Sequence, residues 1–178
     1  MDALVTDRLR LLPLEPEALA ACLRGPQAVE GALGLAACAD LVSDASREAI
    51  RVKLRRMALA PPPDWPWHTS WLMILREGNL GIGLLGFKGA PSPEGVVEIG
   101  YGISEHYRSQ GYTTEAVRAL IAWAFAQPGC RTVFADTRAD NVASQRVLTK
   151  AGLRRFGLRR GLYLWRLDRP GPEREDAQ

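Results

Sequence analysis

"HYRSQGYTTEAV" occupies residues 106–117, and its reading decides the fold. It stands between a stretch that alternates and a stretch that repeats with helical spacing. Before it, "VVEIGYGI" (96–103) sets Val97, Ile99, Tyr101 and Ile103 on one face and Val96, Glu98, Gly100 and Gly102 on the other, the period of a strand. After it, residues 113–126 place Val117, Leu120, Ile121 and Ala124 on one helical stripe, and Pro128-Gly129 ends the run. "RTVFAD" (131–136) is strand-like again. Strand, helix and strand in that order predict one right-handed parallel crossover spanning 96–136.

Working outward, "RLRLLPL" (8–14) reads as a short strand closed by Pro13 and Pro16. Residues 17–24 and 46–59 read as helices. In the second, Ile50, Leu54 and Met57 recur at helical spacing, and "APPPDWPWH" stops it. "TSWLMILREGNLGIGLLGFKG" (69–89) holds two apolar runs around Glu77-Gly78-Asn79, a hairpin signal, and "APSPEG" is a second turn. Three antiparallel strands therefore lead into the crossover. Beyond it, residues 141–151 predict a helix, with Gly152 where a positive φ is needed, and "LYLWRL" (162–167) a last strand. The expected fold class is α/β of the α+β type: a single-domain mixed sheet, an antiparallel meander followed by one βαβ crossover and a C-terminal strand. The domain is expected over 1–169, with a flexible tail over 170–178.

The chain's 178 residues suffice for one sizeable core and are few for two. No apolar run approaches the roughly 18 residues of a membrane span, and the start carries acidic residues rather than an export signal. Cys22, Cys38 and Cys130 are odd in number and lack metal-ligand spacing, so reduced thiols, a cytoplasmic location and no metal are expected. A net charge of +3 falls short of a nucleic-acid-binding stripe, so neither nucleic acid nor membrane is an expected partner. Oligomeric state is open.

The central turn has its own chemistry. A helix N-terminus presents unpaired N–H groups and a partial positive charge, which suit an anion. Gly111 permits close backbone approach and φ > 0, Thr113 and Thr114 can cap the helix or donate hydroxyls, and Arg108 adds a cation. A phosphate or pyrophosphate fits, although one glycine before a capped helix is also a common structural feature. The fingerprints of triphosphate and dinucleotide loops are both missing.

Arg108-Ser-Gln-Gly111-Tyr-Thr113 resembles the Q/R-x-x-G-x-G/A acetyl-CoA loop of the GNAT superfamily of acyl-CoA-dependent N-acyltransferases. "EIGYGI" before it, "TEAVRALIAWAF" after it and "NVASQRVLTKAGL" further on fit in order and spacing. "TDRLRLLPL" resembles the first strand of the branch containing the ribosomal-protein N-terminal acetyltransferases. The last loop position departs, with Thr113 in place of Gly or Ala. The resemblance implies an acetyl-CoA-dependent N-acetyltransferase acting on a primary amine, either a protein N-terminus or a small amine. It also implies that Arg108, Ser109, Gln110, Gly111, Tyr112, Thr113 and Thr114 line the pyrophosphate site. The pantetheine arm would pair with a split between strands 96–103 and 131–136, along Ile99, Tyr101 and Ile103, with a backbone N–H near Ile99–Tyr101 as oxyanion donor.

Two ionisable or hydroxylic side chains are candidates for catalysis. Glu98, the one carboxylate on its strand, could serve as a general base through a water, or simply pair with a cation. Asn141 and Ser144 resemble cofactor contacts of the same branch, and Asn141 is equally a good helix N-cap. Many family members carry a tyrosine later in that helix as general acid. Leu148 stands there instead, leaving Ser144 as the candidate proton donor. In "DWPWHTSW" (64–71), Trp65, Trp67 and His68 could wall the acceptor pocket or cover the sheet. A non-catalytic CoA-binding regulatory module on the same fold is the competing reading.

Overall fold

The computed structural model describes residues 1–171, and the tail expected over 170–178 lies outside the described residues from 172 onward. The chain runs β1 (Leu4–Val5), β2 (Leu9–Pro13), α1 (Pro16–Arg24), α2 (Pro26–Leu33), β3 (Ala36–Ala37) and α3 (Asp44–Met57). It continues through α4 (Trp65–His68), β4 (Trp71–Leu75), β5 (Leu80–Phe87), β6 (Val96–Ile103), α5 (Tyr112–Ala126) and β7 (Thr132–Arg138). α6 (Val142–Lys150), β8 (Arg154–Arg159) and β9 (Leu162–Asp168) complete it.

One sheet results, in the order β1-β2-β4-β5-β6-β7-β9-β8, with β3 joined to β5. The antiparallel meander β4–β5–β6 and the parallel β6–β7 pair joined through α5 match the expected topology. Alternation gives the sheet two apolar faces, each covered by helices. Leu9, Leu11, Met73, Phe87, Val97 and Ile99 pack under α5 and α6 against Val117, Leu120 and Leu148. Leu12, Leu72, Ile74 and Leu84 pack on the other side against Leu19, Val29 and Ile50 of α1, α2 and α3. Burial on both faces drives the layering. At Gly83 an added Cβ would lie 2.5 Å from the Met73 side chain and 2.6 Å from the Gly102 carbonyl, so this crossing of three central strands requires glycine.

Several boundaries depart from expectation. α2 has no counterpart among the expected elements; it follows α1 directly across Gly25, whose φ of 113° breaks the helix in two. α3 begins two residues early because Ser43 caps it, accepting from the Ser46 N–H. β8 escapes pattern reading because five of its six residues face solvent and four of them are arginine or leucine without alternation. The segment expected only to stop a helix forms the single turn α4. Among the described residues, no helix is long and apolar enough to cross a membrane.

Candidate functional site

The two parallel strands pair only at their beginnings. β6 meets β7 at Val96↔Thr132, Val97↔Val133 and Glu98↔Phe134, and no further. Beyond that point β6 stays with β5 as far as Gly83↔Ile103, while β7 stays with β9 as far as Arg138↔Leu162. The sheet therefore splits. Backbone bonds from Lys88 N–H to Glu98 and from Ser104 N–H to Ile82 show that even-numbered β6 positions bond to β5. By the alternation of antiparallel ladders, the N–H and C=O groups of Tyr101 and Ile103 then face the gap, with Ile99 at its vertex.

A cleft of about 830 Å³ opens from this split. Tyr101, Gly102 and Ile103 border it, as do Arg108, Ser109, Gly111, Tyr112, Thr113, Thr114, Asn141 and Ser144. Its other side comes from Asp40–Ser43 and Ser46, a segment with no motif in the sequence. Asp40 accepts from the Glu105 N–H at 2.8 Å, and bonds from Ser104 and Glu105 hold its carboxyl below the ordinary range. A Cβ added at Gly100 would meet nothing within 4 Å, so packing alone does not demand that glycine.

The loop closes one end of the cleft. Arg108 pairs with Glu105 at 2.9 Å, leaving the guanidinium on the loop's exposed side. Ser109 and Gly111 take positive φ values, 61° and 87°, and Gly111 occupies the N-cap position of α5. Of the two roles open to Thr113 and Thr114, capping is not the one taken; they lie inside the first turn, and no side chain caps the helix. Among the described residues, no partner takes the N–H groups of Ser109 through Thr114. Six consecutive unpaired donors at the mouth of a cleft form a concentrated anion-binding surface.

Deeper in, β6 and α6 meet through hydroxyls. Tyr101 Oη lies 2.8 Å from Ser144 Oγ and 3.2 Å from the Ser144 carbonyl. Burial pushes the Tyr101 phenol up to about 12, with the Ser144 bond pulling the other way, so the phenol keeps its proton at neutral pH. Asn141 caps α6, its side chain accepting from the Ser144 N–H at 3.1 Å, which fixes the first turn that carries Ser144. Leu148 is fully buried in the core. The Tyr101–Ser144 contact joins positions 43 residues apart. Its only trace in the sequence is that Tyr101 shares a face with Ile99.

The side chains of other singled-out residues stand apart from the cleft. Glu98 is ion-paired with Lys88 beside β5 and does not border it. Ile99 packs in the core, and Gln110 turns its side chain back to the His106 carbonyl at 2.8 Å. Trp65 donates to the Met57 and Ala60 carbonyls, while Trp67 packs at a tilt against Phe87 at 5.1 Å and Trp123 at 4.7 Å. His68 has a buried Nδ1 without a partner among the described residues, and burial, reinforced by Arg56, pushes its pKa down. None of these three borders the cleft. Among the described residues, no group of three or more His, Cys, Asp or Glu side chains is placed to hold a metal ion.

Comparison with known proteins agrees with this architecture. The family profile described as "Acetyltransferase (GNAT) domain" matches residues 8–154. The uncharacterized N-acetyltransferase YjdG of Bacillus subtilis is 34% identical over 83 residues, 47% of this chain and 49% of the relative. The matched stretch thus spans about half the length of that curated relative. A GNAT-family acetyltransferase from Bacillus anthracis superposes with a TM-score of 0.63 at 20% identity, covering 94% of this chain and 98% of that one. RimL, a ribosomal L7/L12 alpha-N-protein acetyltransferase in complex with coenzyme A, superposes with a TM-score of 0.66 at 17% identity, covering 93% and 96%. These two share the fold. With the profile spanning most of its length, this chain belongs to the GNAT acetyltransferase-domain family.

Proposed function

We propose that the protein is an acetyl-CoA-dependent N-acetyltransferase whose acceptor is a primary amine, either a protein N-terminus or a small amine. One observation carries this reading: a single cleft runs from six unpaired loop N–H groups to the gap between two diverging parallel strands. Acetyl-CoA would supply the acetyl group as an activated thioester. The N–H groups of Ser109–Thr114 bind the pyrophosphate, and Arg108 adds charge at its edge. Backbone groups of Tyr101 and Ile103 orient the pantetheine arm in the split. Such positioning is worth about 7–11 kcal/mol in favourable cases.

Proton handling falls to the hydroxyl pair. With Tyr101 donating to Ser144 Oγ, the Ser144 hydrogen is free to turn into the cleft and meet the departing sulfur. A thiolate, with an ordinary pKa of about 8.5, asks little of that donor. A backbone N–H near Ile99–Tyr101 is the oxyanion donor in this scheme. Glu98, paired with Lys88 and not bordering the cleft, would act as base only after release and through an intervening water.

A second reading, a non-catalytic CoA-binding module, draws support from the Glu98–Lys88 pair and from Leu148. One assay separates the two. Pure protein is mixed with acetyl-CoA and a library of amines, including N-terminal peptides and polyamines, and free thiol is followed. Amine-dependent release supports the transferase. CoA binding without turnover across the library favours the module, and no CoA binding sinks both.

A further inference from the structure

We infer that Arg8 and Glu115 form a clasp that holds the anion-binding loop in its receptive shape, so that Arg8 is a positioning residue for coenzyme A although it does not border the cleft. This rests on the CoA reading of the loop given above. Glu115, in the first turns of α5, receives three bonds from one short turn near the N-terminus. Thr6 Oγ1 donates to Glu115 Oε1 at 2.6 Å, the Arg8 N–H to the same oxygen at 2.9 Å, and Arg8 Nε to Oε2 at 2.8 Å. The Thr6 hydroxyl has one hydrogen and two acceptors in reach, the Leu9 carbonyl at 3.1 Å and the Glu115 carboxylate at 2.6 Å. The shorter, charge-assisted bond to Glu115 takes it.

The guanidinium then reaches on to the loop itself. Arg8 Nη1 donates to the Gln110 carbonyl at 3.0 Å, and the guanidinium carbon sits 4.4 Å above the Tyr112 ring. A trans peptide points its C=O and N–H in opposite directions. Fixing the Gln110 carbonyl toward Arg8 therefore fixes the Gly111 N–H away from it, at a residue that borders the cleft. The turn is itself anchored to the sheet, because Arg76 Nη1 donates to the Thr6 and Asp7 carbonyls at 3.1 and 3.0 Å. A fixed sheet edge thus grips both the loop and the helix that follows.

Burial would raise the Glu115 carboxyl, but the bonds from Thr6 and Arg8 outweigh it and hold the group below its ordinary range, so it stays ionised at neutral pH. Without the clasp, the loop with its positive-φ residues Ser109 and Gly111 samples other shapes and binds an anion less well.

The test uses the full chain and titrates coenzyme A calorimetrically into wild type, Arg8→Ala, Arg8→Lys and Glu115→Gln. It also follows amide hydrogen exchange over residues 115–119 and thermal unfolding. The clasp predicts about tenfold weaker CoA binding for Arg8→Ala, the scale of one lost charge-assisted contact. Arg8→Lys should recover less than half of that loss, because an ammonium cannot serve Glu115, the Gln110 carbonyl and the Tyr112 face together. Amides 115–119 of α5 should exchange about tenfold faster without an equivalent global loss of stability. Wild-type affinity in folded Arg8→Ala overturns the clasp. Should Arg8→Ala fail to fold, the near-isosteric Glu115→Gln decides by the same outcomes. If wild type does not bind CoA, the functional reading falls, and unchanged exchange at 115–119 in the variants overturns the clasp separately.

Discussion

The two sides of the cleft are built on different principles. The side formed by Tyr101–Thr114 offers mostly backbone: two strand residues facing a gap and six consecutive unpaired N–H groups. The facing side, Asp40–Ser43 and Ser46, offers side chains from a segment packed through Leu41 and Val42 on the core that α1, α2 and Trp65 share. Backbone recognition needs a local shape, and a few residues specify it. Side-chain recognition needs the whole scaffold, because each group is delivered by tertiary packing.

Substitutions can break or sharpen the contrast. The largest effect belongs to the scaffold. Trp67→Ala removes a ring packed on Phe87 and Trp123 and should cost about 3–5 kcal/mol in denaturant unfolding, with CoA affinity of the folded fraction kept. A normal stability with a raised amine KM would instead make Trp67 an acceptor wall. Gly111→Val comes next, since φ of 87° strains a β-branched residue and its Cβ would sit 3.3 Å from Arg8 Nη2. Calorimetry should show CoA binding weakened about a hundredfold, with the core intact.

Ser144→Ala and Tyr101→Phe should each lower kcat about tenfold and leave CoA affinity within about twofold, which steady-state kinetics with an accepted amine would check. A smaller effect involves Lys53 on α3, which donates to the Thr69 and Phe87 carbonyls. Burial, with Arg56 adding to it, pushes Lys53 from 10.5 to about 7. The unfolded chain then binds more protons than the folded one between about pH 7 and 10, so stability contributed at this site rises with pH across that window and is lost below it. Thermal unfolding of Lys53→Met should show a flatter pH profile there, by a few degrees in Tm. Glu98→Gln should change CoA affinity less than about twofold, because the carboxylate faces Lys88 and not the cleft.

How much of this was legible follows the same division. The crossover could be read because Val97, Ile99 and Tyr101 alternate and Val117, Leu120 and Ala124 repeat at helical spacing. Gly111 could be read because only a few residue types accept its backbone shape. The partner of Glu98 could not, since Lys88 meets it only through the β5–β6 register. Nor could the Tyr101–Ser144 and Arg8–Glu115 contacts, which join segments 43 and 107 residues apart. α2 was missed because a glycine with positive φ lets one helix follow another without a loop, and β8 because an exposed edge strand carries no apolar period.

The central claim is that backbone N–H groups around Gly111 hold a pyrophosphate. Calorimetry of the full chain with coenzyme A and with pantetheine, which lacks the pyrophosphate, tests it most directly. The account predicts saturable binding of coenzyme A and binding of pantetheine weaker by about a hundredfold or more. Equal affinities, or no heat with coenzyme A, would contradict it.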